Sequence, residues 1–338
     1  MKIVLDAMGS DNHPVPEIEA AVKAAELFGD EIILTGHQDI LNSKLSQLNT
    51  KQLPVRVVHA PHAVDMSAHA VEGTMKSPQN SMAVGLSLLK EGKADAFVTA
   101  GNSGAAMFNA VRVLHRSQGV VRPVMVTTLP TRKGRCVFLD TGANADCRPD
   151  FLVEFAVMGT AYAESVSNIQ NPRVGLLANG EEPGKGNMLV REAYTLLEKS
   201  GLNFIGNVEP KELYNGYADV VIADGFTGNI LIKTSEAVAK LITDILREQI
   251  SASWLRKVGY LLIKPAFLSL KTMMDPAEVG AAMLMGVNGY VFIGHGRSDA
   301  RALVSAIRLA RQAVRSNLLQ TLPAKIQERL ESLNATSQ

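Results

Sequence analysis

Lys185 lies in Asn179-Gly-Glu-Glu-Pro-Gly-Lys-Gly186, flanked by glycines, and three asparagines end or interrupt loops of the same small, polar kind. These are Asn102 in Ala100-Gly-Asn-Ser-Gly104, Asn144 in Asp140-Thr-Gly-Ala-Asn144 and Asn229 in Asp224-Gly-Phe-Thr-Gly-Asn229. An ammonium on a backbone-rich loop suits a small anion, and the alternative for Lys185 is a solvated surface lysine. Gly101-Asn102-Ser103-Gly104 runs straight into a helix, where free N–H groups and the positive helix end attract an anion. The competing reading is that Asn102 or Ser103 only caps that helix. His295, in Gly294-His-Gly-Arg-Ser-Asp299, is either an acid or a turn histidine. Together these residue types point to anion binding and charge stabilisation.

Other chemistries fit less well. None of the glycine loops has the G-x-G-x-x-G spacing of a dinucleotide site. Gly180 to Gly186 fails as a P-loop twice, with three residues between the first two glycines and Gly186 where Mg²⁺ needs Ser or Thr. His59-x-x-His62-x-x-Asp65-x-x-x-His69 lacks a second cluster and contains Pro61, so no metal site is expected. Cys136 falls inside an apolar run and reads as core. Cys147 could face the loops, but no histidine is near it in sequence.

Five of the loops follow short apolar runs: Lys2–Leu5, Ala96–Thr99, Cys136–Leu139, Val174–Leu177 and Asp219–Ala223. Unalternating runs of this length read as strands buried on both faces of a parallel sheet, whose carboxyl-end loops gather along one edge. A single active-site rim is the expectation. Helical spacing predicts helices over 17–28, 80–91, 105–116, 149–166, 188–199 and 230–250, alternating with the strands. Val124–Leu129 and Arg135–Leu139 flank a link short enough for a hairpin, which joins only antiparallel strands. The fold class is therefore α/β, a large mixed but mostly parallel sheet with helices on both faces, read as one catalytic domain over 1–338.

Residues 251–275 form an excursion from this pattern. Trp254, Leu255, Val258, Leu261 and Leu262 share a helical face, and Pro265 is expected to start a second helix with Phe267, Leu268, Leu270, Met273 and Met274. Arg256, Lys257, Lys264 and Lys271 interleave with them, and no acid appears before Asp275. A protruding basic amphipathic pair of this sort lies in a membrane interface, with Trp254, Leu261 and Phe267 as contacts. Its competing reading is dimer-interface core.

Bulk composition narrows the class. The 338 residues carry a formal net charge of +1, against a nucleic-acid partner, and only 2 cysteines, against a disulfide framework. The chain opens directly into a strand without a secretory signal, and no stretch approaches the ~18 uncharged apolar residues of a membrane span. A cytoplasmic α/β protein is expected.

Taken together, seven blocks resemble the phosphate acyltransferases of bacterial phospholipid synthesis. They are Ile3–Asp11, Lys93–Ala105, Leu139–Asn144, Asn179–Gly186, Gly216–Val221, Asp224–Asn229 and Gly294–Arg297, and the resemblance runs to about Asn317. Ser10 and Ser103 stand where that family usually has Gly and Thr, and the paired lysines common before Ser81 are missing. The resemblance implies an isopropylmalate dehydrogenase- or phosphotransacetylase-like fold and a homodimer. It implies reversible transfer of a fatty acyl group from acyl carrier protein to inorganic phosphate, without cofactor. The acyl phosphate would feed a membrane acyltransferase acting on glycerol 3-phosphate, placing the protein peripherally on the inner face of the membrane. Lys185 and Gly101–Gly104 are then expected to bind phosphate, and Asn144 and Asn229 to orient phosphate or the thioester carbonyl. Asp224 and His295 would orient Lys185 or protonate the leaving sulfur. A decarboxylating dehydrogenase of this fold and a non-catalytic carrier or membrane adaptor are the alternatives.

Overall fold

All five apolar runs are strands. A computed structural model describes residues 1–48, 50 and 52–336, without the side chains of 269–274, 276 and 328–336. The strands are β1 (Lys2–Asp6), β2 (Glu31–Gly36), β3 (Val55–His59), β4 (Ala96–Thr99), β5 (Val124–Thr131) and β6 (Gly134–Leu139). They continue with β7 (Val174–Leu177), β8 (Phe204–Val208), β9 (Val220–Ile222), β10 (Ala281–Met285) and β11 (Tyr290–Gly294). Among the described residues these build one sheet in the order β3-β2-β1-β4-β11-β10-β5-β6-β9-β7-β8. Only the steps β11–β10, β10–β5 and β5–β6 are antiparallel, so the mixed, mostly parallel sheet is as the sequence indicates. Burial on both faces is visible residue by residue. Ile3 and Leu5 join one apolar cluster, and Val4 between them joins another.

The helices are α1 (Val15–Phe28), α2 (Gln38–Leu45), α3 (Ala70–Lys76), α4 (Ser81–Lys90), α5 (Ser103–Leu114) and α6 (Pro149–Ser165). The rest are α7 (Met188–Glu198), α8 (Pro210–Asn215), α9 (Gly225–Ser251), α10 (Trp254–Met274), α11 (Ala300–Arg315) and α12 (Leu318–Thr336). Helices α1, α6 and α11 cover the face of Ile3, and α4 and α5 cover that of Val4. Asn80 caps α4 through the Ala83 amide, and Gly92 follows its end with φ +69°, as a glycine at C′ does.

Two expectations are corrected. The antiparallel steps reverse the sheet, so β1, β4 and β11 run opposite to β6, β9 and β7. Their loops leave opposite edges, and the single rim is in fact two. Secondly, Pro265 starts no second helix: α10 continues through it. Proline removes one helical N–H, and the carbonyl it would have served belongs to exposed Leu261, within reach of water. The pair is instead α9 and α10, which pack along each other. The side chains of Leu270, Lys271, Met273 and Met274 lie outside the described residues.

Candidate functional site: a cleft between two sets of loops

Each loop is organised around a polar side chain. Asp6, fully buried at the end of β1, accepts from the Thr99 hydroxyl (2.7 Å), whose oxygen accepts from the Gly101 amide (2.9 Å). Burial raises the Asp6 carboxyl above its ordinary range. Asn102 caps α5, its Oδ1 accepting from Ala105 N–H (3.0 Å). Its Nδ2 donates to the carbonyls of Met66 (3.0 Å) and Ala68 (3.1 Å). The amide of Asn102 is thus spent on capping α5 and strapping the preceding loop. The N–H groups of Ser103 and Gly104, in the first turn of α5, have no intrahelical partner.

On the opposite edge the 140–144 loop winds around Asp140, buried and raised by that burial. Its Oδ1 accepts from the amides of Gly142 (3.1 Å) and Ala143 (2.9 Å), and its Oδ2 from Asn144 N (2.7 Å) and Nδ2 (2.9 Å). Asn144 Nδ2 also donates to the Pro123 carbonyl at 2.8 Å. The carbonyl of Asn144 accepts from Gly225 N–H at 2.8 Å, tying this loop to α9. Asp224 caps α9, with Oδ1 accepting from Thr227 N–H and Oδ2 from its hydroxyl, both at 2.8 Å. A side chain on Gly225 would strike Asn144 backbone, and one on Gly228 would sit on the Asp140 carbonyl oxygen. These glycines serve close helix–loop packing.

Between the two sets lies a cavity of about 450 Å³. Met125, Thr127 and Leu129 of β5, Ala281 and Ala282 of β10, and Ile293 of β11 line its sheet side. Asn229, Ile232, Lys233 and Glu236, on one face of α9, make a wall, and Ser103, Gly142 and His295 come from the loops. Arg132 and Arg135 stand at the β5–β6 turn, where Arg135 donates to Thr128 Oγ1 at 3.2 Å. Glu236 meets His295 Nε2 at 3.3 Å and Arg297 Nη2 at 2.8 Å. Hydrogen bonding from His295 holds the Glu236 carboxyl below its ordinary range.

Of the expected site residues, Ser103, Asn229 and His295 line this cavity. Gly101, Asn102, Gly104, Asn144 and Asp224 shape the loops beside it. Lys185 is exposed on the loop after β7 and does not line the cavity. The Asn229 side chain makes no hydrogen bond among the described residues, and its Nδ2 lies close against Gly142. Burial pushes the thiols of Cys136 and Cys147 up to about 12, so neither is a thiolate nucleophile at neutral pH. Arg132, Arg135, Lys233 and Glu236 were not foreseen. Their signals were a hairpin turn carrying Arg132, Lys133 and Arg135, and the helical spacing of 229, 232, 233 and 236.

An apolar floor beneath unpartnered amides and a basic rim accommodates an apolar chain ending in a polar, anionic group. Its scaffold is a known one. A phosphotransacetylase from Streptococcus pyogenes superposes with a TM-score of 0.59 at 19% identity, covering 93% of this chain and 94% of that one. A 4-hydroxythreonine-4-phosphate dehydrogenase from Klebsiella pneumoniae does so with a TM-score of 0.53 at 14% identity, covering 93% and 97%. At such identities the likeness defines the fold, an α/β architecture that these two enzyme classes share. Sequence goes further. Residues 1–321 match the family described as fatty acid synthesis protein. A phosphate acyltransferase from Geotalea daltonii is 42% identical over 328 residues, covering 97% of this chain and 95% of that protein. The chain belongs to the phosphate acyltransferase family, within the fatty acid synthesis proteins, and is an acyltransferase.

Proposed function

We propose that the enzyme transfers a fatty acyl group reversibly from the thioester of acyl carrier protein to inorganic phosphate. The acyl phosphate would pass to a membrane acyltransferase that loads glycerol 3-phosphate, toward phosphatidic acid. The observation that carries this reading is the cavity itself, apolar along the sheet and flanked by a helix N-terminus, a free amide and a basic rim.

Phosphate at neutral pH is largely a dianion, and a thiol of pKa about 8.5 leaves readily. The task is to hold phosphate, orient the thioester and stabilise the oxyanion of the tetrahedral intermediate. In this proposal the first turn of α5, including Ser103, and the amide of Asn229 face the reacting carbonyl and phosphate. Arg132, Arg135 and Lys233 neutralise the phosphate groups of substrate and carrier arm. His295 moves a proton to the leaving sulfur. Lys185 has no part in it within one protomer. The proposal also makes the enzyme a cytoplasmic homodimer on the inner face of the membrane. Among the described residues no helix is long and apolar enough to cross a membrane.

The direct test is incubation of acyl carrier protein thioester with phosphate. Phosphate-dependent release of free thiol, with acyl phosphate trapped by hydroxylamine, is the expected result. Thiol release at the same rate without phosphate would make the enzyme a thioesterase and reject the proposal.

A further inference from the structure

Helix α9 delivers one carboxylate to the cavity, Glu236, and its two oxygens are divided between two partners. Oε1 lies 3.3 Å from His295 Nε2, and Oε2 accepts from Arg297 at 2.8 Å, with the Glu236 side chain 16% exposed. Its lowered pKa keeps it ionised at neutral pH. An ionised carboxylate can only accept, so it holds the hydrogen on Nε2 and leaves the lone pair on Nδ1. The other charges around the pair are Lys233 on α9, Asp275 on the cavity wall, paired to Arg301, and Asp11 against Gly296.

We propose that Glu236 is a positioning residue for acyl transfer, fixing His295 as the Nε2–H tautomer so that Nδ1 relays a proton from phosphate to the departing sulfur. The inference rests on the function proposed above. One oxygen of the monohydrogen phosphate dianion attacks the thioester carbon. The new C–O bond forms, the C–S bond breaks, and sulfur keeps the electron pair. The phosphate hydrogen passes to Nδ1 and then to sulfur, giving acyl phosphate dianion and free thiol, with His295 returned to its starting form. The division of labour is that of a carboxylate and imidazole in a hydrolase triad.

The test reads kcat and the phosphate KM for transfer from acyl carrier protein thioester. It compares Glu236→Gln, Arg297→Gln, His295→Gln and the double variant Glu236→Gln/His295→Gln. Glu236→Gln should lower kcat by about 100-fold and leave the phosphate KM within about twofold. Arg297→Gln, which removes the carboxylate's other partner, should keep kcat within about twofold. The double variant should be no slower than His295→Gln alone, because the two residues act as one unit. Equal losses for Glu236→Gln and Arg297→Gln would make the carboxylate a latch on α9, and additive losses would separate it from His295. Either result overturns the inference. Nitrogen-15 NMR of the wild-type imidazole decides independently of any variant's folding: an Nε2–H tautomer supports the assignment, and an Nδ1–H tautomer overturns it. A wild-type enzyme that releases no thiol with phosphate overturns the parent reading and this one with it.

Discussion

Asn102 is the N-cap of α5 and Asn229 lies one turn inside α9, and of the two only Asn229 has a side-chain amide free for substrate. Asn229→Ala removes a group that holds nothing in the resting protein, so kcat should fall at least about 100-fold with the melting temperature nearly unchanged. Asn102→Ala unties the α5 cap and the strap to Met66 and Ala68, so it should also cost about 1–2 kcal/mol of stability. Melting curves and steady-state rates on the two variants separate these outcomes, and a destabilised Asn229→Ala of normal rate would move that amide into the scaffold. The sequence made the asparagines look alike because each follows a strand and a glycine. Which amide is spent depends on carbonyls 34 and 36 residues away for Asn102 and 21 away for Asn144, distances over which spacing carries no signal. A second residue-scale effect lies outside the cavity. Glu154 on α6 accepts from Val121 N–H at 2.7 Å, and burial pushes its carboxyl from 4.5 up to about 7. The folded state therefore holds this proton more tightly than the unfolded chain. Its contribution to stability is full below 4.5 and is lost as pH rises to about 7. Relative to wild type, Glu154→Gln should gain stability between mildly acidic and mildly alkaline pH, by at most about 3 kcal/mol. Parallel denaturation curves at the two pH values check the sign, and a constant difference would show that Glu154 is ionised throughout.

At the scale of elements, α9 is the part that links both sets of loops. Its first turn is pressed onto the 140–144 loop through Gly225 and Gly228, and its fourth turn reaches His295 and Arg297 through Glu236. Gly228→Ala should cost about 3 kcal/mol, because the Asp140 carbonyl is fixed backbone and cannot give way. Gly259, in the middle of α10, has nothing within 4 Å of an added Cβ. Gly259→Ala should therefore stabilise by about 0.5–1 kcal/mol through helix propensity alone. Chemical denaturation of both reads opposite signs, and a neutral Gly228→Ala would mean that α9 is free to slide on the loop. The same glycines explain why the start of α9 was placed five residues late, at Ile230 instead of Gly225: glycine pairs read as loop. Strands β1, β4, β5, β6, β7 and β9 were legible because each is a short apolar run, and the β5–β6 link announced the antiparallel step. The β10–β11 hairpin was missed, since Ala281-Ala-Met-Leu-Met285 is built of helix-favouring residues and follows a helical segment. Its two antiparallel steps cancel, so the reversal that opens the cleft comes from the β5–β6 step, and what was hidden is the pair of strands between β4 and β5 that floor the cavity.

On the scale of the whole molecule, two apolar faces remain uncovered among the described residues. Phe226, Ile230, Val238, Leu241 and Ile245 run along α9, and Trp254, Leu255, Val258, Leu261 and Leu262 along α10, all exposed. In the function proposed above the first would meet a second copy of the chain and the second a lipid surface, where exposed Arg256, Lys257 and Lys264 would each add about 1 kcal/mol near anionic headgroups. The double variant Leu261→Glu/Phe267→Glu should lose sedimentation with anionic vesicles while staying dimeric and active in solution. Dissociation or unfolding would instead make α10 interface core. The sheet has a further consequence, for the nascent chain. β10 and β11 fill the gap between β4 and β5, yet they are the last strands the ribosome delivers. At about 5–20 residues per second, synthesis leaves the facing edges of β4 and β5 bare for roughly ten to thirty seconds. Each then presents an open row of N–H and C=O groups to the other half-sheet and to neighbouring chains. The emergence of one late hairpin ends that interval, by wedging between two half-built sheets and making them one.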